Sequence, residues 1–299
     1  NMLSASVTLF LVITVGLFTV SNSSIGVSLS KKLNAAGWSE LLGTYPTVNF
    51  AAIHIQFYNQ TVNPNAVTTI KAAWNAGIRD LSVHMHPCMT SSFYSQSVNL
   101  ECGTPEEQLQ TVLDELSSNN MDFIRHAHND VTDSSSLLLP TFRPTAMPSY
   151  SPTSSTIQLK RMFVCYEDEV PNRFLSPDHG ENVKFLMDIT NEATAKGIQL
   201  GVYTTKNDWL NTAADRVGSD LVYRTSHNTT SSLNPFYKLP LWTPRYDSLN
   251  SMDFYAPFGD WARVLMKQIS GGTTALHRIG SDRVGLNYAD DDVASEYYD

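Results

Sequence analysis

The chain predicts an α/β fold built on a parallel sheet in a single domain, and three observations carry that reading. Short apolar strands alternate with helix-like stretches, no segment repeats at a fixed period, and no shift in composition marks a second domain. The 299 residues, 42% hydrophobic and 16% charged, suffice for one large buried core. Residues 50–57 (FAAIHIQF) and 81–85 read as strands, and residues 66–76 between them as a helix that Gly77 ends. The unit recurs as a helix at 105–117, a strand at 162–166, a helix at 181–196 closed by Gly197, and a strand at 199–203. Strands follow at 221–223, 241–243 and 264–269. The intervals between them hold little helical periodicity, so the architecture becomes irregular toward its end.

A formal charge of −9 argues against nucleic acid as a partner and gives no steering toward anionic walls or membranes, which need clustered Lys or Arg. Any polymeric substrate must be gripped locally. Residues 9–20 (LFLVITVGLFTV) form an apolar run followed by small polar residues, which suits a signal-peptide core better than a membrane span of about twenty residues. The expectation is a signal peptide over 1–24, a mature domain over 25–299, an extracellular, secreted protein, and no membrane association of the mature form; the alternative is a buried first helix. Of the three cysteines, Cys88 and Cys102 bracket a polar loop short enough to close as a disulfide, and Cys165 reads as a buried strand thiol. Asn59 and Asn228 begin glycosylation triplets. Residues 131–156 are crowded with Ser, Thr and Pro and read as a loose insertion between a helix and the next strand.

The run 163–169 (FVCYEDE) is an apolar strand ending in three acids, which places them at a strand C-terminus. Period-two geometry sends Glu167 and Glu169 to one side and Asp168 to the other. Two convergent carboxylates are what glycosidic cleavage requires, one protonating the leaving oxygen and the other serving as base, nucleophile or charge stabiliser. A solvated acidic loop is the plainer alternative. Tyr203, Trp242, Tyr246, Phe258 and Trp261 sit near strand ends and offer rings for sugar faces, with Asp247 adding a carboxylate beside Tyr246. His84 and His86 form His-x-His on a strand, and His126 and His128 repeat the pattern, so zinc hydrolysis is the competing chemistry. Histidines of the core or rim are the favoured reading. No phosphate-binding glycine loop and no nucleophile elbow is present.

Several segments together resemble the glycoside hydrolase family 25 lysozymes of the invertebrate type found in nematodes and amoebae. They are FAAI at 50–53, VNPN at 62–65, TIKAAWNAG at 69–77, Pro87-Cys88, GVYT at 201–204 with Trp209, LWTPRYD at 241–247, and DFYAPFGDW at 253–261 leading to MKQ at 266–268. The resemblance implies an irregular TIM-like β/α barrel that hydrolyses the β-1,4 bond between N-acetylmuramic acid and N-acetylglucosamine in peptidoglycan. It implies no metal and no organic cofactor, a bacterial cell-wall glycan as partner, and a monomer. The family's first-strand Asp falls on Gly26 and its late Asp on Gly285, so both carboxylates are gone. Its Asp-x-Glu pair aligns with Glu167 and Glu169, or one residue earlier with Tyr166 and Asp168. The first register is preferred because it places Phe174 at a family aromatic. Glu169 then becomes the candidate acid and Glu167 its partner, with Tyr203, Trp242, Tyr246 and Asp247 as substrate-binding residues. Two functions follow: a lysozyme of reduced activity used in defence against bacteria or in their digestion, or a glycan-binding relative that no longer hydrolyses.

Overall fold

The computed structural model describes residues 23–125, 156–167, 174–217, 220–226, 229–246, 251–252, 255–261, 264–270, 278–279, 282–283 and 285–290. The run at 9–20, the insertion at 131–156 apart from its last residue, His126 and His128, Asn228, Asp168, Glu169 and Asp247 lie outside these residues. In chain order the elements are β1 (Ser23–Leu29), α1 (Ala35–Thr44), β2 (Val48–Gln56), α2 (Ala66–Asn75), β3 (Asp80–Met85), α3 (Phe93–Ser97), α4 (Pro105–Ser118), β4 (Met121–Phe123), β5 (Ile157–Leu159), β6 (Met162–Tyr166) and α5 (His179–Ala195). They continue as β7 (Leu200–Thr204), α6 (Lys206–Thr212), β8 (Asp215–Val217), β9 (Asp220–Ser226), β10 (Thr229–Ser231), β11 (Leu241–Pro244), β12 (Met266–Ser270), β13 (Arg278–Ile279), β14 (Asp282–Arg283) and β15 (Gly285–Asp290).

Eight strands close a barrel in the order β1-β15-β12-β11-β7-β6-β3-β2. Seven run parallel; β15 is antiparallel to both β1 and β12 and closes the ring. The fold is therefore a single-domain, irregular β/α barrel. The antiparallel strand was not legible beforehand, because its short run carries no helix to announce a crossover. A second correction concerns residues 221–223: they belong to β9, which pairs with β8 and β10 in a separate antiparallel sheet outside the barrel. Arg224 binds Asp215 at 2.7 Å, and Asp215 also meets His179 of α5 at 3.0 Å, which ties that sheet to the helix.

The barrel strands are almost wholly buried because both faces are covered, which explains why β2, β3, β6 and β7 read as continuous apolar runs. Outward residues such as Ile53, Ile55, Leu81, Val83 and Val164 join the large cluster shared with the helices. Inward residues Phe50, Ala52, Phe163, Cys165, Tyr203, Trp242 and Met266 form a second cluster. Helix boundaries follow local chemistry: Thr104 and Glu107 close a reciprocal capping box around Pro105 at the start of α4. Gly77 and Gly197, at φ 99° and 68°, turn the chain left-handedly just beyond α2 and α5, a conformation other residues adopt at a cost. Cys88 and Cys102 are disulfide-bonded across the β3–α4 connection. Gln108 of α4 braces the same loop, with Nε2 on the Cys88 and Gly103 carbonyls at 2.8 Å each.

Candidate active site

Strand alternation decides which side chains meet inside the barrel. On β2 the inward set is Phe50, Ala52 and His54, while a register shift after His54 sets Gln56 opposite Met85 with its amide on Gln108 of α4; on β3 the inward set continues to His84, with His86 one residue past the strand. On β6 it runs Phe163, Cys165 and then Glu167, one residue past the strand. These positions bring Glu167 to the C-terminal rim, the face where barrels of this type do chemistry. Tyr166 belongs to the other face: its hydroxyl donates to the Asn182 carbonyl of α5 at 2.5 Å, outside the wall.

Glu167 Oε2 lies 3.8 Å from His86 Nε2. His86 Nδ1 in turn lies 2.7 Å from His54 Nε2, which is also 2.7 Å from the Gln56 carbonyl oxygen. His54 stacks on His84 with ring centroids 4.8 Å apart, and Tyr58 lies between His86 and Phe174, at 4.0 and 3.4 Å. Across the mouth, the Tyr203 hydroxyl donates to Gln268 Oε1 at 2.7 Å, and Gln268 Nε2 donates to Ser28 Oγ at 3.1 Å. Tyr246 is 53% exposed and reaches the same Gln268 oxygen at 3.4 Å. The structure thus brings Glu167, Tyr203 and Tyr246 into one constellation.

Burial, reinforced by the nearby Asp208 carboxylate and partly offset by a hydrogen bond with Tyr203, raises the Glu167 pKa to about 7. Burial lowers His54 and His86 to about 3, His54 also through the charge of His86, and holds His84 well below its ordinary value. The imidazoles are therefore neutral near pH 7, so His86 faces Glu167 as a neutral ring and the contact is not an ion pair. Asp208 sits in the first turn of α6, held by Thr205, whose hydroxyl donates to Asp208 Oδ2 at 2.6 Å and accepts from its backbone N–H.

Other expectations are corrected. Trp242 is only 1% exposed; its indole N–H donates to Asn287 Oδ1 at 3.0 Å, so the ring is packed in the barrel interior rather than offered as an open sugar platform. Tyr203 is 6% exposed, and its contribution at the mouth is its hydroxyl rather than its face. Phe258 and Trp261 pack outside the barrel, Trp261 against Trp209 at 4.8 Å. Buried rings dominate because a closed barrel must fill its interior before it can offer surface. Cys165 Sγ is 3.5 Å from His84 Nδ1, a neighbour the sequence did not reveal, but burial pushes its thiol well above the ordinary range and denies it a thiolate. His84 and His86 spend their Nδ1 atoms on Cys165 and His54, and no group of three metal-binding side chains is arranged for an ion among the described residues.

His54, Gln268 and Asp208 were missed as site residues. Period two along 50–56 could have placed His54 on the face of the inward set. The Thr205-x-x-Asp208 spacing announces a helix start and nothing more. In the β1–β15 ladder Gly26 pairs with Asn287 and Gly285 with Ser28. One protonated carboxyl ringed by neutral donors and acceptors can hydrogen-bond sugar hydroxyls and deliver a proton to a bridging oxygen.

No family model matches the chain. Probable GH family 25 lysozyme 5 of Dictyostelium discoideum is 20% identical over 258 residues, covering 85% of this chain and 87% of the relative. Lysozyme-like protein 5 of Caenorhabditis elegans is 33% identical over 111 residues, 37% of this chain and 43% of its own length. In fold, a family GH25 lysozyme from Aspergillus fumigatus matches with a TM-score of 0.53 at 13% identity, over 92% of this chain and 97% of that one. A muramidase from Trichobolus zukalii matches with a TM-score of 0.52 at 14% identity, over 92% and 99%.

Proposed function

The chain belongs to glycoside hydrolase family 25, and from that premise we propose that it is a secreted glycosidase cleaving β-1,4 bonds of bacterial peptidoglycan, with Glu167 as proton donor and turnover reduced by Gly26 and Gly285. One observation carries the reading: Glu167 stands at the catalytic rim with a pKa of about 7, so near neutral pH it holds a proton to give. The proton passes to the glycosidic oxygen as the bond to the sugar carbon breaks, and the carboxylate left behind accepts a proton from the attacking water. The relatives named as lysozymes and muramidases support the substrate class. The Cys88–Cys102 disulfide supports an oxidising compartment, in keeping with secretion and a role against bacteria.

The loss of two carboxylates slows turnover, because each would have steadied charge at the sugar carbon or on a neighbouring acid. The ring of Phe50 beside Gly26 favours a second reading, in which the mouth binds glycan without hydrolysing it. Clearing of purified bacterial wall, followed by turbidity for wild type, Glu167→Gln and Glu169→Gln, separates the two. Slow clearing lost in Glu167→Gln supports the enzyme with the assigned acid, and loss confined to Glu169→Gln returns that role to Glu169. Equal background clearing by all three, with wall still sedimenting the protein, leaves the binding reading.

A further inference from the structure

Three imidazoles at a barrel mouth, in no metal-binding arrangement among the described residues, call for another use, and the hydrogen-bond order around them supplies one. His54 Nε2 lies 2.7 Å from the Gln56 carbonyl oxygen and 2.7 Å from His86 Nδ1. A carbonyl oxygen can only accept, so a bare Nε2 at that distance would set two lone pairs against each other. The proton of the neutral His54 therefore resides on Nε2, shared between the carbonyl and His86 Nδ1. His86 Nδ1 must then be bare, because two N–H groups cannot face each other at 2.7 Å. The proton of the neutral His86 is forced to Nε2, the atom that looks at Glu167 Oε2 from 3.8 Å. That separation lies a few tenths of an ångström outside hydrogen-bond range, and a small rotation of the Glu167 side chain closes it.

We propose that the backbone carbonyl of Gln56, acting through His54, locks His86 in the Nε2–H tautomer, making His86 a positioning residue that presents a neutral N–H to the carboxyl group of Glu167. The inference rests on the reading of Glu167 as the proton donor and names what orients it. A neutral donor aimed at one carboxyl oxygen fixes the rotamer, and it stabilises the carboxylate formed after proton delivery without adding a charge. The other groups facing Glu167 act in different senses. Asp208 from α6 disfavours the carboxylate, and the Tyr203 hydroxyl from β7, whose one proton otherwise goes to Gln268, favours it. Cys165 of β6 stays a neutral thiol, and the second imidazole from β3, His84, is turned to Cys165. Tyr246, after β11, bears on Tyr203 rather than on Glu167.

The test is spectroscopic and independent of turnover. Nitrogen-15 NMR of the imidazoles in the intact wild-type chain at pH 7 is expected to show His86 with Nε2 protonated and Nδ1 bare; the opposite tautomer, or a doubly protonated ring, overturns the proposal. Carbon-13 NMR of the glutamate carboxyls then follows Glu167 in variants. His86→Phe keeps a flat ring without the donor and is expected to move the Glu167 titration to higher pH, while His86→Gln, which restores an N–H donor, returns it toward wild type. A Glu167 titration identical in wild type, His86→Phe and His86→Gln overturns the proposal as well. Should wall clearing prove absent while the tautomer and the titration behave as expected, the enzymatic reading fails and the positioning device stands.

Discussion

A Cβ atom on Gly26 would lie 2.3 to 2.4 Å from ring atoms of Phe50, a separation that real side chains do not tolerate. The place from which the resemblance would project an aspartate is thus filled by an aromatic ring that is 6% exposed and packed with Phe163, Tyr203 and Trp242. Loss of the carboxylate and packing of the barrel floor are coupled, and reversing one residue alone cannot restore the other arrangement.

Gly26→Asp by itself is expected to destabilise by about 1–3 kcal/mol from overpacking, with the cost of an unpaired buried carboxylate added. Phe50→Val removes the ring atoms that clash and on its own opens a cavity. The double variant is expected to lose less stability than the two singles together, by at least about 1 kcal/mol, and to clear wall faster than Gly26→Asp. Chemical denaturation of the four proteins measures the coupling. Strict additivity would show that Phe50 does not occupy the space of the missing side chain.

The fraction of Glu167 carrying its proton falls as pH rises through about 7, so kcat/KM for wall hydrolysis is expected to drop about tenfold per pH unit above that point. Asp208 raises the Glu167 pKa through its negative charge, and Asp208→Asn removes that charge while keeping the size. The alkaline limb should then move to lower pH. A limb that stays in place would assign the proton donor to a different group.

The strands that could be read in advance are those with both faces buried between neighbours, such as β6, whose bounds coincide with the reading of 162–166. Helix ends were legible wherever a backbone conformation demanded a residue, as at Gly77 and Gly197. β15 and the sheet of β8, β9 and β10 were not, because antiparallel pairs of short strands leave no helix between them and their pairing is set by distant partners. The same distinction divides the site. Glu167 was legible because it ends an apolar strand. His54 and His86 could be placed on strands, but their 2.7 Å contact depends on the β2–β3 register, with His54 opposite His84, which no local pattern encodes. Trp242 was read as a ring for sugar faces because it stands near a strand end, whereas alternation turns it into the barrel interior.

The disulfide Cys88–Cys102 closes a loop of 14 residues in sequence separation, and closing a loop of that size restricts the unfolded chain by about 3 kcal/mol. Replacing both cysteines by serine is expected to lower stability by about that amount. Wall binding should weaken less, because Gln108 still bridges the Cys88 and Gly103 carbonyls. Guanidinium denaturation alongside wall sedimentation checks the pair. A loss of binding without loss of stability would place the loop in the binding surface itself.

The pH dependence of stability has a defined sign. His54 and His86 titrate at about 3 in the folded chain and near 6.5 when unfolded, and His84 is shifted the same way. Below pH 6.5 the unfolded chain takes up protons that the folded chain refuses, so the stability these imidazoles contribute above 6.5 is lost as pH falls toward about 3. Glu167 acts in the opposite sense: its contribution is fully present below 4.5 and is lost as pH rises to about 7. Between pH 4.5 and 6.5 three imidazoles oppose one carboxyl, so stability is expected to rise with pH and peak near 6.5 to 7. Each buried imidazole accounts for about 1.4 kcal/mol per pH unit in that window. His86→Gln should therefore flatten the slope by about that much, measured by denaturation at pH 4.5, 5.5 and 6.5; an unchanged slope would mean that His86 is already charged in the fold at these pH values.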